Sequence, residues 1–120
     1  MRKPTVTYKT FDVVKVPFPF TDKKMSKKRP ALILSSEKHF NDLAEHSVLA
    51  MITSGKHSSW PLDVPINDLE SAGLSFNSLI RMKLFTLDHR LILGKIGVLA
   101  KEDQKSFRKA FLKLFDEMDE

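Results

Sequence analysis

The run Phe11-Asp12-Val13-Val14-Lys15-Val16-Pro17-Phe18-Pro19-Phe20, the polar stretch Thr21 to Arg29 and the run Pro30-Ala31-Leu32-Ile33-Leu34-Ser35 together decide the fold. The first is rich in β-branched and aromatic residues. Its Phe18 and Phe20 alternate with prolines that have no N–H to give a ladder, which predicts a strand ending at a sheet edge. The middle stretch has no apolar periodicity and joins two apolar runs, so it reads as a long exposed hairpin loop. The third run is short, apolar and bounded by polar residues, as suits a fully buried strand. Two antiparallel strands joined by a basic loop therefore seed the fold.

Outward from this hairpin, Ser47-Val48-Leu49-Ala50-Met51-Ile52-Thr53 repeats the pattern of a buried strand ending in a hydroxyl residue. A loop from Gly55 to Pro61 carries His57 and the single tryptophan, Trp60, and Leu62-Asp63-Val64-Pro65-Ile66 then alternates as an outer strand. Asn67 to Gly73 predicts one helical turn, with Asn67 as cap, Glu70 closing the box and Gly73 ending it. Ser78 to Leu87 predicts a strand with Arg81 and Lys83 on one face beside Leu79 and Phe85, and Ile80, Met82 and Leu84 on the other. Leu91 to Leu99 is the last strand, where Gly94 and Gly97 mark bends or close backbone approach. From Lys101 the apolar spacing changes to three and four residues, through Phe107, Ala110, Phe111, Leu114, Phe115 and Met118. This is a C-terminal helix, weakly capped by Ala100, whose terminal Asp116, Glu117, Asp119 and Glu120 oppose the helix dipole and predict a frayed last turn. The expected fold is mainly β (α+β): a small, mostly antiparallel barrel or sandwich with a short helical turn and a C-terminal α-helix, in one domain spanning 1–120.

Composition supports a single globular domain: 120 residues, 42% hydrophobic and 29% charged, with four glycines and six prolines, excludes collagen-like and low-complexity chains. No apolar run approaches the ~18 residues that cross a bilayer, so no membrane association is expected. The basic N-terminus is not followed by an apolar segment, so no secretory signal is expected. The lack of cysteine removes disulfide frameworks and thiolate metal sites and fits a reducing cytoplasm. Net charge is +5, but residues 1–29 hold nine cations against Asp12 and Asp22, a local +7, leaving −2 for the remainder. Such a field attracts polyanions by counterion release, while a solvated basic loop is the plainer reading of the same lysines.

Four histidines, His39, His46, His57 and His89, are scattered without the helical i, i+4 spacing that signals zinc, so neither a metal site nor a cofactor is expected. Gly-rich phosphate loops, Gly-x-Ser-x-Gly elbows, helix-turn-helix and zinc-finger patterns are missing. Three places remain. Arg29 stands where the cationic loop runs into a buried strand, with Pro30 fixing the backbone behind it. A rooted guanidinium holds two phosphate oxygens with little entropy loss, or else pairs with a carboxylate across the sheet. Met51-Ile52-Thr53-Ser54-Gly55 delivers two hydroxyls and a glycine from a buried strand, either as donors to an oxyanion or as a plain strand end. Arg81 with Lys83 reads as a solvated outer face.

Asp12-Val13-Val14, Val16-Pro17-Phe18-Pro19-Phe20-Thr21-Asp22, Lys28-Arg29-Pro30-Ala31-Leu32-Ile33-Leu34-Ser35, Ala50-Met51-Ile52-Thr53-Ser54 and Leu84-Phe85-Thr86-Leu87-Asp88, in that order, resemble the PemK/MazF-type toxins of bacterial toxin-antitoxin pairs. The resemblance runs from about Phe11 to the helix near Phe115. It implies an SH3-like barrel that dimerises, cuts single-stranded RNA without a metal (an mRNA interferase), is silenced by a small antitoxin whose tail occupies the RNA site, and meets operator DNA through the antitoxin complex. A hydrophobic first strand at an edge also argues for a homodimer, because it would expose more apolar surface than a monomer should. Carried over residue by residue, the catalytic arginine falls on Arg29 and the catalytic hydroxyl on Thr53. Lys23, Lys24, Lys27 and Lys28 become an RNA grip, with Ser54, His57 and Arg81 as further RNA-binding positions. Two positions depart from the family pattern: Phe11 replaces the usual glycine before Asp12, and the Asp22 to Lys27 loop reads Lys-Lys-Met-Ser where many members have a glycine.

The chemistry implied uses the RNA's own 2′-hydroxyl as nucleophile and leaves a 2′,3′-cyclic phosphate and a 5′-hydroxyl. Arg29 would stabilise the phosphorane and Thr53 would hydrogen-bond a non-bridging oxygen. A guanidinium pKa above ~12 makes Arg29 a poor base, and His57 is the candidate to take the 2′-proton. Two rival expectations keep the fold without the chemistry: a barrel that poisons a protein target such as gyrase, and a catalytically dead relative that binds antitoxin and operator DNA.

Overall fold

The structure, a computed structural model, describes residues 7–18, 27–56 and 59–119. In chain order it contains β1 (Asp12–Phe18), β2 (Lys27–Ile33), a π-helical turn Glu37–Asn41 running into α1 (Asp42–Ala44), β3 (His46–Ser54), β4 (Val64–Pro65), α2 (Leu69–Ala72), β5 (Ser78–Asp88), β6 (Gly94–Val98) and α3 (Lys101–Leu114). Short 3₁₀ turns, His89–Leu91 and Asp116–Asp119, follow β5 and α3. The strands form one antiparallel sheet in the order β4-β5-β3-β2-β1-β6, curled into a half-barrel.

The curl has local causes. In the β3–β5 ladder the register jumps from Ala50↔Leu84 to Met51↔Arg81, leaving Met82 and Lys83 unmatched. In the β1–β6 ladder it jumps from Val13↔Gly97 to Val14↔Lys95, leaving Ile96 unmatched. Unmatched residues bend a strand and increase its twist. Along β1, β2 and β3, alternate residues enter two cores. Val13, Leu32, Ala50 and Ile52 pack with Ala72 of α2, Leu99 and Phe107 of α3, and Val14, Val16, Ala31, Ile33 and Leu49 pack with Tyr8, Leu87 and Ile92 on the other face. Burial on both faces is why these strands read as continuous apolar runs. Each fully buried leucine or isoleucine among them contributes roughly 1.5–3 kcal/mol.

The hairpin forms, but β2 starts at Lys27, so the cations Lys27 to Arg29 belong to the strand, paired with Phe18, Pro17 and Val16. The first strand does end at an edge, as expected, but most of its length lies inside the sheet. Val13 to Lys15 are paired with β6 as well as β2, Asp12 with β6 alone, and Val16 to Phe18, with Pro17, run past the end of β6. Val13, Val14 and Val16 are wholly buried, which removes the apolar edge from which a dimer was argued. The exposed apolar side chains lie elsewhere, among them Leu93, Leu112, Phe115 and Met118. The apolar stripe of α3 therefore outruns the core: Phe107 is buried, Phe111 half-buried, and the residues beyond are exposed.

The helical turn α2 is capped by Asp68, not Asn67. The Asp68 side chain accepts the Ser71 N–H at 3.0 Å, while the Asn67 and Asp68 N–H groups are drawn to the buried Asp103 carboxylate of α3 at 2.9–3.1 Å. At its end Gly73 adopts φ 74, the Gly73 N–H donates to Glu70 O and the Leu74 N–H to Leu69 O. This is the paired closure of a Schellman motif. The outer strand expected over Leu62 to Ile66 shrinks to Val64–Pro65, the two residues that pair with β5, because Leu62 just before it takes a left-handed φ of 65.

Candidate active-site cleft

A cleft of about 320 Å³ opens where β2 and β3 diverge. Lys28, Arg29 and Pro30 of β2, Thr53 and Ser54 of β3, Lys15 of β1, Ile96 of β6, and the segment from Gly73 to Phe76 line it, with Ser78 at the start of β5. The β2–β3 ladder pairs Ala31 with Met51. Continued by two residues in the same register, it sets Arg29 opposite Thr53, each on the same pleat face as its paired predecessor. Two residues 24 positions apart in sequence thus share one cleft wall.

Arg29 is half-buried, and its Nε is buried with no hydrogen-bond partner among the described residues. Among the described residues Arg29 makes no ion pair, so the cross-sheet carboxylate is not found. An unsatisfied buried donor costs roughly 1–3 kcal/mol, more on a charged group, and an anionic ligand in the cleft would remove that cost.

Several sequence-predicted positions reach the cleft: Arg29, Thr53, Ser54 and Lys28. Lys27 is exposed on β2 outside its lining. Lys23, Lys24 and His57 lie outside the described residues. Arg81 is placed differently. It is 9% exposed and its guanidinium grips Asp63 twice, Nε to Oδ1 at 3.1 Å and Nη2 to Oδ2 at 2.9 Å. That hydrogen bond, opposed by burial, raises the Arg81 pKa above its ordinary value. Arg81 and Lys83 do share a face, as expected, since both lie over Trp60, at 6.0 and 4.7 Å from its ring centre. Lys83 is exposed on that face, as expected, whereas Arg81 is buried, and neither residue lines the cleft. Together with the Trp60 N–H donating to Asp63 at 3.0 Å, they fasten residues 60–63 to β5. The free outer cation read from sequence is in fact a structural clamp.

Sequence reasoning missed Lys15, Phe76 and Ser78. Lys15 had a signal, a lone cation interrupting Val13-Val14-x-Val16. Phe76 and Ser78 had none, because their relation to Arg29 is made only by the fold. Among the described residues no cluster of three His, Asp or Glu side chains is arranged to hold a metal ion.

The fold has counterparts among known proteins. The model of the family described as PemK-like, MazF-like toxins of type II toxin-antitoxin systems matches residues 9–115. The chain belongs to this family. Its fold is that of MazF from Deinococcus radiodurans, at 17% identity over 93% of this chain and 99% of that chain with a TM-score of 0.70. The toxin MazF-mt6 of Mycobacterium tuberculosis is similar, at 21% identity, 88% and 96% coverage and a TM-score of 0.70. So is a MazE-MazF structure from Deinococcus radiodurans, at 18% identity, 92% and 98% coverage and a TM-score of 0.72. No curated protein sequence matches the chain.

Within this PemK/MazF-like chain the departure at Phe11 has a conformational meaning. Phe11 takes φ 77, a left-handed backbone that costs a non-glycine residue roughly 1–2 kcal/mol. Its N–H donates to Ile33 O at 2.8 Å and its carbonyl accepts from Leu99 N–H at 2.9 Å, so the start of β1 is kept despite the side chain. The ring packs edge-on against Phe107 at 6.3 Å, contact that a glycine lacks and that offsets the strain.

Proposed function

We propose that this PemK/MazF-like toxin is a metal-independent endoribonuclease that cleaves single-stranded RNA, mRNA included, at particular sequences. The observation that carries the reading is the buried, unpartnered Nε of Arg29 in the cleft that Thr53 also lines. The 2′-oxygen attacks the adjacent phosphorus and the bond to the 5′-oxygen breaks, giving a 2′,3′-cyclic phosphate and a 5′-hydroxyl. Arg29 lies against the two non-bridging oxygens as charge builds, and the Thr53 hydroxyl donates to one of them. The 2′-proton passes to His57 or to water, and the leaving 5′-oxygen is protonated in turn. Lys15 and Lys28, with Lys23, Lys24 and Lys27, hold flanking phosphates.

The same reading gives the toxin a small cognate antitoxin that covers the cleft, operator DNA bound through that complex, a homodimeric state and a cytoplasmic location. Solved relatives described as MazE-MazF complexes, and one described as an endoribonuclease with its cognate antitoxin, support the antitoxin. The test incubates antitoxin-free protein with a long single-stranded RNA in EDTA and analyses the new ends. Cyclic phosphate and 5′-hydroxyl ends at recurring sequences are expected. Intact RNA would turn the assignment toward a protein-directed or catalytically dead toxin.

A further inference from the structure

We infer that Phe76 is a stacking platform for a nucleobase next to the phosphate held at Arg29, so that the cleft grips RNA by a base face as well as by its backbone. The inference rests on reading the cleft as a single-stranded RNA site. Phe76 is 78% exposed, against 38% for Phe40, 42% for Trp60 and 44% for Phe115, which makes it the most exposed aromatic among the described residues. Trp60 already carries two cations on its ring, whereas the Phe76 ring has no aromatic or cationic partner among the described residues. A single exposed apolar side chain needs no explanation on an ordinary surface. This one lines the cleft that contains the buried unpartnered donor of Arg29.

Its backbone is held firmly. The Schellman closure at Gly73 fixes the start of the segment, and the Ser78 hydroxyl donates to the Phe76 carbonyl at 2.7 Å. Gly73 itself is pressed so closely on β6 that a Cβ there would lie 1.9 Å from Ile96 O. A bare ring on a held backbone has only its own side-chain rotamers left to order when a ligand arrives, which lowers the entropy cost of stacking. Ring-on-base contact accepts any base, because every base has a π-face. Phe76 would therefore add affinity and position the chain, leaving sequence choice to other groups.

The experiment uses the sequence that the toxin cuts, made with a 2′-deoxy sugar at the cut site, and a series of copies each lacking one base near that site. Phe76→Ala should weaken binding of the intact oligonucleotide by roughly 5- to 150-fold, and Phe76→Trp should restore it, while Phe76→Leu, apolar but without a π-face, should not. For one abasic copy, wild type and Phe76→Ala should bind alike, which identifies the stacked base. Melting curves and light scattering on each variant separate a binding loss from a folding or assembly defect. Should wild type bind and cut RNA while Phe76→Ala binds it equally well, or lose the same affinity against every abasic copy, the platform is wrong and the cleft reading stands. Phe76→Ala that loses only antitoxin binding, or changes the oligomeric mass, makes Phe76 a protein contact and also overturns it. If wild type neither binds nor cuts RNA, both readings fall together.

Discussion

Arg29 and Thr53 occupy matching positions two residues beyond Ala31 and Met51, where the β2–β3 ladder ends, and both line the cleft that opens there. The divergence of the strands creates the site: paired further, their backbones would leave no room for a phosphate, and without the shared register the two side chains would not meet at one wall.

If Arg29 stabilises the transition state, Arg29→Ala should remove most of the cleavage rate at saturating RNA and change affinity little, and Arg29→Lys should rescue poorly because a point charge does not replace the fork. Thr53→Val, which keeps the shape and deletes the hydroxyl, should slow cleavage by about 10²-fold. Single-turnover rates, with binding measured on the 2′-deoxy substrate, decide this. A normal rate for Arg29→Ala at saturation would make Arg29 one more member of the backbone grip.

Lys15 and Lys28 line the same cleft as flexible cations. Neutralising either should weaken RNA binding modestly and lower the slope of log affinity against log salt by up to about one unit, with turnover of bound RNA little changed. An unchanged slope for Lys15→Gln would remove Lys15 from the interface.

Arg81 should answer differently. Its bidentate bond to Asp63 is 10% and 15% exposed on the two partners, and removing one side leaves a buried charge unpaired. Arg81→Ala and Asp63→Ala should each lower the melting temperature by several degrees, the double variant by less than their sum, and the salt slope for RNA should not move. A salt slope that falls in Arg81→Ala would return Arg81 to the RNA grip.

Gly97 and Ala72 meet backbone to backbone. A Cβ at Gly97 would lie 2.4 Å from the Ala72 carbonyl carbon, a contact that only movement of α2 away from β6 relieves. Gly97→Ala should cost more than about 2 kcal/mol in denaturant unfolding. It should also reduce RNA affinity by displacing the segment from Gly73 to Phe76. Full stability in Gly97→Ala would show that α2 is not tied to β6.

At the far side of the sheet His89 Nε2 lies 2.8 Å from the Ser47 hydroxyl, and its ring stands edge-on to Tyr8 at 5.0 Å. Burial first, and the nearby His46 second, push its pKa below the ordinary 6.5. In the interval between folded and unfolded values the unfolded chain binds the extra proton, so stability should fall as pH drops below about 6.5 and level off below the folded value. Melts from about pH 8 to about pH 5 should lose part of that slope in His89→Gln, and an imidazole titration by NMR should give a value below 6.5. A His89 titration at or above the ordinary value would contradict the partly buried ring's lowered pKa.

Much of this was legible in the chain. The Ala31 to Ile33 and Leu49 to Ile52 runs announce strands buried on both faces. Gly73 announces a left-handed stop, and Phe107 with Phe111 the helix face that covers the sheet. The place of Arg29 and Thr53 at one wall was legible in part because Arg29 stands just before one buried apolar run and Thr53 at the end of another, so the backbone fixes both polar side chains.

What the sequence by itself determined is the main strands, the C-terminal helix, the antiparallel character of the sheet and the family resemblance, since these follow from local periodicity and from motifs in fixed succession; the helical segment 37–44 and the strand order came only with the structure. Only the tertiary structure decided which polar groups are free. Arg81 is spent on Asp63, Asp103 serves the N–H groups of Asn67 and Asp68 rather than its own helix end, and Arg29 Nε alone is buried without a partner among the described residues. The physical reason is that a hydrogen bond or ion pair depends on the meeting of residues far apart in sequence. Local pattern states that a side chain is charged and which face it takes, and the curl of the sheet settles what stands opposite.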